Sequence, residues 1–196
     1  MTDWELNRSQ MPSFYDLDID VYYLQGLLNS FNSIQSEAQK WAKSEWDKAA
    51  EAAQKDDDFA EYLGGVVADA EILQGMAHAA LSTIAASAVE NRLKAILKAA
   101  GETPPNNADW RCLSCIFSRK AGKNLGNLPG YNDVDLLRRL SNAFKHSDGT
   151  ADTKLAKQLG KDRIDQYGKI LYDKLDWTRF FTSSQKFISS VVAELK

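Results

Sequence analysis

The sequence predicts an all-α protein, a helical bundle of five or six helices built on a long antiparallel helix pair. Two observations carry that prediction. Val21, Leu24, Leu28, Phe31, Ile34, Ala38, Trp41 and Ala42 recur at spacings of three and four, which places them on one face of a helix. Breakers are confined to a few places, chiefly Thr103-Pro104-Pro105-Asn106-Asn107 and the Gly/Asn/Pro-rich stretch 122–130, so long helical runs lie between them. At 196 residues the chain suits one domain with a substantial core.

The elements follow in order. Residues 1–15 read as a flexible leader and 16–196 as a single domain. The first helix begins near Leu17 and continues through Lys48-Ala49-Ala50-Glu51-Ala52-Ala53. Asp56-Asp57-Asp58 interrupts it and suits the start of a second helix, where carboxylates complement exposed N–H groups. That second helix runs from about Phe59 to Ala100 and stops at Gly101. Gly64-Gly65 and Gly75 are weak points in it. Its middle, Met76-Ala77-His78-Ala79-Ala80-Leu81, is rich in small residues and predicts a central position.

Trp110, Leu113, Ile116 and Phe117 predict a short third helix. Asn132 or Asp133 is the expected cap of a fourth, ending at Gly149. A short helix follows at about 152–159. Residues 164–177 read equally as extended or helical. Asp176 then caps a last helix with Phe180, Phe181, Phe187, Ile188, Val191, Val192 and Leu195 on its apolar face.

Composition narrows the function classes. Hydrophobic residues make up 44% and charged residues 26%, and the net charge is −3. A basic nucleic-acid binder is excluded at the level of the whole chain, so any RNA contact has to come from a local patch. Two cysteines and an acidic start, Met1-Thr2-Asp3-Trp4-Glu5, predict a reducing cytoplasm. No stretch reaches about 18 uncharged apolar residues, so no membrane partner is expected. Cys112-Leu113-Ser114-Cys115 has the spacing of a zinc half-site but no second pair, and reads as two small core residues. His78 reads as a satisfied core histidine. Trp41, Trp46 and Trp110 read as packing anchors. No metal or other cofactor is expected.

The segment with most chemistry is Leu136-Leu137-Arg138-Arg139-Leu140-Ser141-Asn142-Ala143-Phe144-Lys145-His146-Ser147-Asp148-Gly149. At about 100° per residue, Arg138, Arg139, Asn142, Lys145 and His146 share one face of roughly 120°. Leu136, Leu137, Leu140 and Phe144 fall opposite. One face packs and the other presents cations around a titratable imidazole, a possible phosphate site. Any amphipathic surface helix has such a polar face, and Lys145 and His146 also complement a helix C-terminus.

Asn142-Ala143-Phe144-Lys145-His146-Ser147-Asp148-Gly149, with Arg139 six residues before His146, resembles the HEPN superfamily of helical-bundle domains. Ser87-Ala88-Val89-Glu90-Asn91-Arg92-Leu93-Lys94 is similar to the acid-bearing helix beside that motif. Many relatives read Arg-Asn-x-x-Lys-His, and this chain has Ser141 where they carry the arginine. Arg138 or Arg139 would then act from one turn earlier, or the protein is not a nuclease.

The resemblance implies a metal-independent endoribonuclease of a bacterial toxin or phage-defence system, or an inactive module of the same fold binding a protein partner or nucleotide. On the first reading His146 moves the proton, Arg139 holds the phosphate and Asn142 orients. Arg138 and Lys145 bind substrate, and Glu90 supports a motif arginine. The implied partners are RNA, an antitoxin or other protein, and a second copy of the chain.

Overall fold

The computed structural model describes residues 14–51 and 57–195, and six α-helices run through them without a β-strand. They are α1 (Phe14–Glu51), α2 (Asp57–Ala99), α3 (Trp110–Ala121), α4 (Tyr131–Ser147), α5 (Thr153–Leu159) and α6 (Trp177–Leu195). The expected all-α bundle on a long helix pair is what the chain forms. Most of the predicted leader lies outside the described residues, but α1 already begins at Phe14. The end of the first predicted helix, at 52–53, also lies outside them.

α1 packs along α2 as the antiparallel pair. Asn32 of α1 meets Gln74 and His78 of α2 at 3.5 and 3.0 Å, which sets their register. α2 runs unbroken through Gly64-Gly65 and Gly75. It stops where Gly101 takes a φ of +85°. Gly101 N–H donates to Lys98 and Glu102 N–H donates to Leu97, the paired bonds that close a helix on a left-handed residue.

Two core clusters share α2, α4 and α6. In one, Leu81, Ala85, Leu137, Leu140, Tyr172, Trp177 and Phe181 meet. In the other, Leu93, Leu97, Trp110, Leu113, Phe117, Val134, Phe187 and Val191 do. α2 is therefore the central helix that its small residues predict. By length and composition alone it is also long and apolar enough to cross a membrane, its most apolar stretch within Asp58–Ala99 having a mean hydropathy of 1.3 with 44% buried. The strict count of uncharged residues misses this, because that stretch contains isolated polar side chains.

Several local expectations change. α4 is capped not by Asn132 or Asp133 but by Gly130, at a φ of +84°. A Cβ there would lie 2.2 Å from the Ser183 carbonyl oxygen of α6, so only glycine lets the two helices meet. Asp133 is diverted to Arg179 and Ser183 of α6. Of the ambiguous stretch 164–177, residues 164–176 become neither α-helix nor strand, and Trp177 opens α6. They hold a single 3-10 turn, Tyr172–Lys174, and isolated bridges Thr150–Lys169 and Ile164–Ile170.

Tyr172 closes the bundle here, its hydroxyl donating to the Leu140 carbonyl at 2.9 Å. Burial pushes that hydroxyl's pKa well up. Asp176 does cap α6, accepting from the Arg179 N–H at 3.0 Å. Cys115 is exposed and Cys112 half-buried, because α3 buries Trp110, Leu113 and Phe117 instead. Trp41 and Trp46 are likewise not anchors, being 44% and 39% exposed.

Candidate functional site

α4 presents its chemistry through two neighbours. Its start is pinned to α6 by Asp133. Its end reverses at Asp148 and Gly149, with φ of +49° and +71°. Gly149 N–H donates back to the Ala143 carbonyl, and Lys169 binds both the carbonyl and the carboxylate of Asp148. Lys169 thereby holds that carboxyl below the ordinary carboxylate range. The reversal brings Asp152 and α5 back alongside α4. Asp152 caps α5, accepting from the Leu155 N–H at 2.6 Å, as a short polar side chain at that position does.

Between α4 and α5 lies a cleft of about 300 Å³. Arg139, Asn142, Ala143, His146, Ser147, Thr150, Asp152 and Leu155 line it. All three residues expected to act in catalysis, His146, Arg139 and Asn142, thus border one cavity. Arg139 is the best held. Its guanidinium donates to the Gln158 amide oxygen at 2.6 Å and to the Asp152 carboxylate at 3.3 Å. Its side chain is 19% exposed. Asn142 and His146 are exposed at the rim and make no hydrogen bond among the described residues.

The other expected residues go elsewhere. Arg138 leaves the cleft, because one residue's rotation along α4 turns it toward α3. Its guanidinium carbon lies 4.5 Å over the Trp110 ring and it pairs with Asp135 at 3.1 Å. That is a packing and cation–π geometry, away from the cleft. Lys145 is exposed and does not line the cleft. Glu90 pairs with Lys94 on its own helix at 3.1 Å, the i,i+4 spacing that competes with any cross-helix partner.

Ser141 is 1% exposed, and its hydroxyl donates to Thr83 of α2 at 3.3 Å. Position 141 therefore faces the α2 interface. An arginine there would bury a charge beside Thr83. Arg139 is the α4 arginine that the packing leaves at the cleft.

The sequence reading missed Asp152, Gln158 and Thr150. They come from a different helix and loop, and their only prior signal was the Asp before the short helix. A larger groove of about 600 Å³ between α2 and residues 169–174 holds none of the six residues named in advance. Among the described residues no three His, Cys, Asp or Glu side chains gather as a metal site would require.

His78 lies outside the cleft. It is buried, with Asn32 3.0 Å from Nε2 and the Trp177 ring stacked at 6.0 Å. Burial pushes its imidazole below the ordinary value, against the opposing field of Asp173 and a backbone bond at Gln74.

Comparison with family models, with curated proteins and with solved structures finds no match to this chain.

Proposed function

We propose that the α4–α5 cleft is a metal-independent RNA-cleaving site of the HEPN type. The observation that supports this most is the convergence of Arg139, Asn142 and His146 on one cavity. Cleavage without a metal uses the ribose 2′-hydroxyl as nucleophile on the adjacent phosphorus. The P–O5′ bond breaks, leaving a 2′,3′-cyclic phosphate and a 5′-hydroxyl. His146 exchanges the proton, since an imidazole serves as acid or base near neutrality. Arg139 offers a planar donor fork to the phosphate oxygens, and two of its five N–H groups are used by Gln158 and Asp152. Asn142, one turn before His146, orients the imidazole or binds an oxygen.

RNA is the substrate on this reading. By the same resemblance, a second copy and an antitoxin-like protein are its partners, and the setting is bacterial toxin or phage defence.

A specific observation favours a second reading. Asp152 places a carboxylate against Arg139 inside the cleft, which lowers its attraction for a polyanion. A cleft so balanced suits a catalytically inactive module that holds a single nucleotide or a protein partner.

One experiment separates the two. RNA is incubated with wild type and His146→Ala in excess chelator, and product ends are mapped. Cyclic-phosphate ends from wild type that His146→Ala loses support cleavage. Equal behaviour of the two proteins removes His146 from any catalytic role. Nucleotide binding without cleavage supports the second reading.

A further inference from the structure

We infer that Asp152 is a second proton-transferring residue of the α4–α5 cleft. Its carboxylate takes the 2′-hydroxyl proton while His146 gives one to the leaving oxygen, so one chain carries the complete pair. The inference rests on the reading of that cleft as an RNA-cleaving site.

Two proton movements accompany the cleavage. O2′ loses a proton as it bonds to phosphorus, and O5′ gains one as the P–O5′ bond breaks. The attacking and leaving oxygens lie roughly in line on opposite sides of the phosphorus. One imidazole has one mobile proton and reaches one side, so it meets one of these needs at a time. The cavity wall offers few groups for the other. An arginine such as Arg139 stays protonated in proteins, and Asn142, Ser147 and Thr150 hold neutral groups that are poor bases. Asp152 is the one carboxylate among the described residues that line the cavity.

The hydrogen bonds of Asp152 leave one edge of its carboxylate open. Leu155 N–H donates to Oδ1 at 2.6 Å, and Arg139 Nη2 donates to the same oxygen at 3.3 Å. Oδ2 accepts no bond among the described residues, and the side chain is 72% exposed. The bond from Leu155 caps α5, so the backbone fixes where the carboxylate stands.

Arg139 joins this carboxylate to the phosphate position. Nη2 holds Asp152 and Nη1 holds Gln158. Each still has an N–H to offer, and Nε–H is a third. A phosphate on that fork lies beside Asp152 with a cation between the two anions, which offsets their repulsion. The 2′-hydroxyl is on the ribose carbon next to the one bearing this phosphate, within reach of Oδ2.

His146 faces the cavity from the other helix. It is rooted on α4 two turns beyond Arg139, about 10 Å along the axis at 1.5 Å per residue. Asp152 stands at the head of α5. Base and acid thus enter from the two helices that enclose the cavity, as an in-line displacement requires. After cleavage Asp152 holds an extra proton and His146 lacks one. Both side chains are exposed, so exchange with water resets them without a residue from a second copy.

The test is single-turnover cleavage of one oligoribonucleotide by the full chain in excess chelator. Binding is measured on the same RNA with a 2′-deoxy nucleotide at the cut. Asp152→Asn keeps an oxygen for the Leu155 N–H and removes the base. It is expected to lower the rate at saturating RNA about 100-fold while binding the 2′-deoxy RNA at least as tightly as wild type. An RNA with sulfur in place of O5′ at the cut needs no acid, because a thiolate leaves unprotonated. It is expected to restore cleavage by His146→Ala and not by Asp152→Asn. An equimolar mixture of the two variants is expected to stay inactive on ordinary RNA, since neither chain holds the pair.

A cleaving wild type whose Asp152→Asn variant keeps the full rate overturns the inference and leaves the reading of the cleft standing. So does rescue of Asp152→Asn by the sulfur substrate, which reverses the roles. A mixture that cleaves places the pair across two chains and overturns it too. A wild type that leaves RNA intact, or a His146→Ala variant equal to wild type, removes the reading and the inference together. If Asp152→Asn melts below wild type, Asp152→Ser, which also retains a capping oxygen, decides by the same comparison.

Discussion

Arg139 of α4 and Gln158 of α5 are joined at 2.6 Å, and that bond aims the one cleft-facing arginine of α4. Gln158 is a neutral acceptor, so it positions the guanidinium without neutralising it. Arg139→Ala is expected to lower RNA cleavage about 100-fold, roughly 2.7 kcal/mol of transition-state stabilisation. Arg139→Lys should recover little, because a point charge cannot span Gln158 and a phosphate together. Gln158→Ala should cost about three- to tenfold. The measurement is kcat/KM on one oligoribonucleotide, and an unchanged value for Arg139→Ala would remove the cleft from the reaction.

Asp152 has two roles that substitution can separate. It caps α5 through the Leu155 N–H and pairs with Arg139. Asp152→Ser keeps a capping oxygen and removes the charge. RNA affinity is expected to rise several-fold with thermal stability near wild type. Asp152→Ala loses the cap as well and should cost about 1 kcal/mol. Fluorescence anisotropy with labelled RNA and thermal melts read the two effects independently.

Asp133 ties α4 to α6 through Arg179 at 2.6 Å and Ser183 at 2.7 Å. Burial pushes its carboxyl up, but the bonds from Arg179 and Ser183 outweigh burial and leave it below its ordinary 3.8. Its contribution is therefore complete above the unfolded value and lost as pH falls through the lower folded one. Asp133→Ala is expected to cost about 1–3 kcal/mol and to flatten the acid limb of the stability curve. Arg179→Ala should cost less, about 0.5–1 kcal/mol, because that side chain is 63% exposed and solvent screens its charge. Urea titrations between about pH 2 and 6 test both.

His78 adds a second acid-side slope, nearer neutrality. Burial holds its imidazole below the ordinary 6.5, so the unfolded chain takes up a proton that the folded chain resists. Stability is then level above the unfolded value. It falls as pH drops through about 6.5 toward the folded one. His78→Gln, which keeps a group able to bond Asn32, should remove that slope between about pH 5 and 7. A slope that survives the substitution would assign it to another group.

The sequence by itself determined the helices and the polarity of their faces. The three-and-four spacing on α1 and the small residues of α2 reflect what a helix must bury, and they are local in the chain. The caps Asp176 and Gly101 were legible for the same reason, since each satisfies backbone groups within one turn. Only the tertiary structure decided which polar residues meet. Arg138 and Arg139 stand side by side in sequence on one polar face. Yet Trp110 of α3 draws the first away, while Gln158 and Asp152 of α5 hold the second at the cleft. Gly130, not Asp133, begins α4 because the α6 backbone leaves no room for a Cβ. Ser141 is small because α2 packs against it. Helical period is a property of the single element. The neighbours that select among its side chains come from distant parts of the chain, and only packing brings them together.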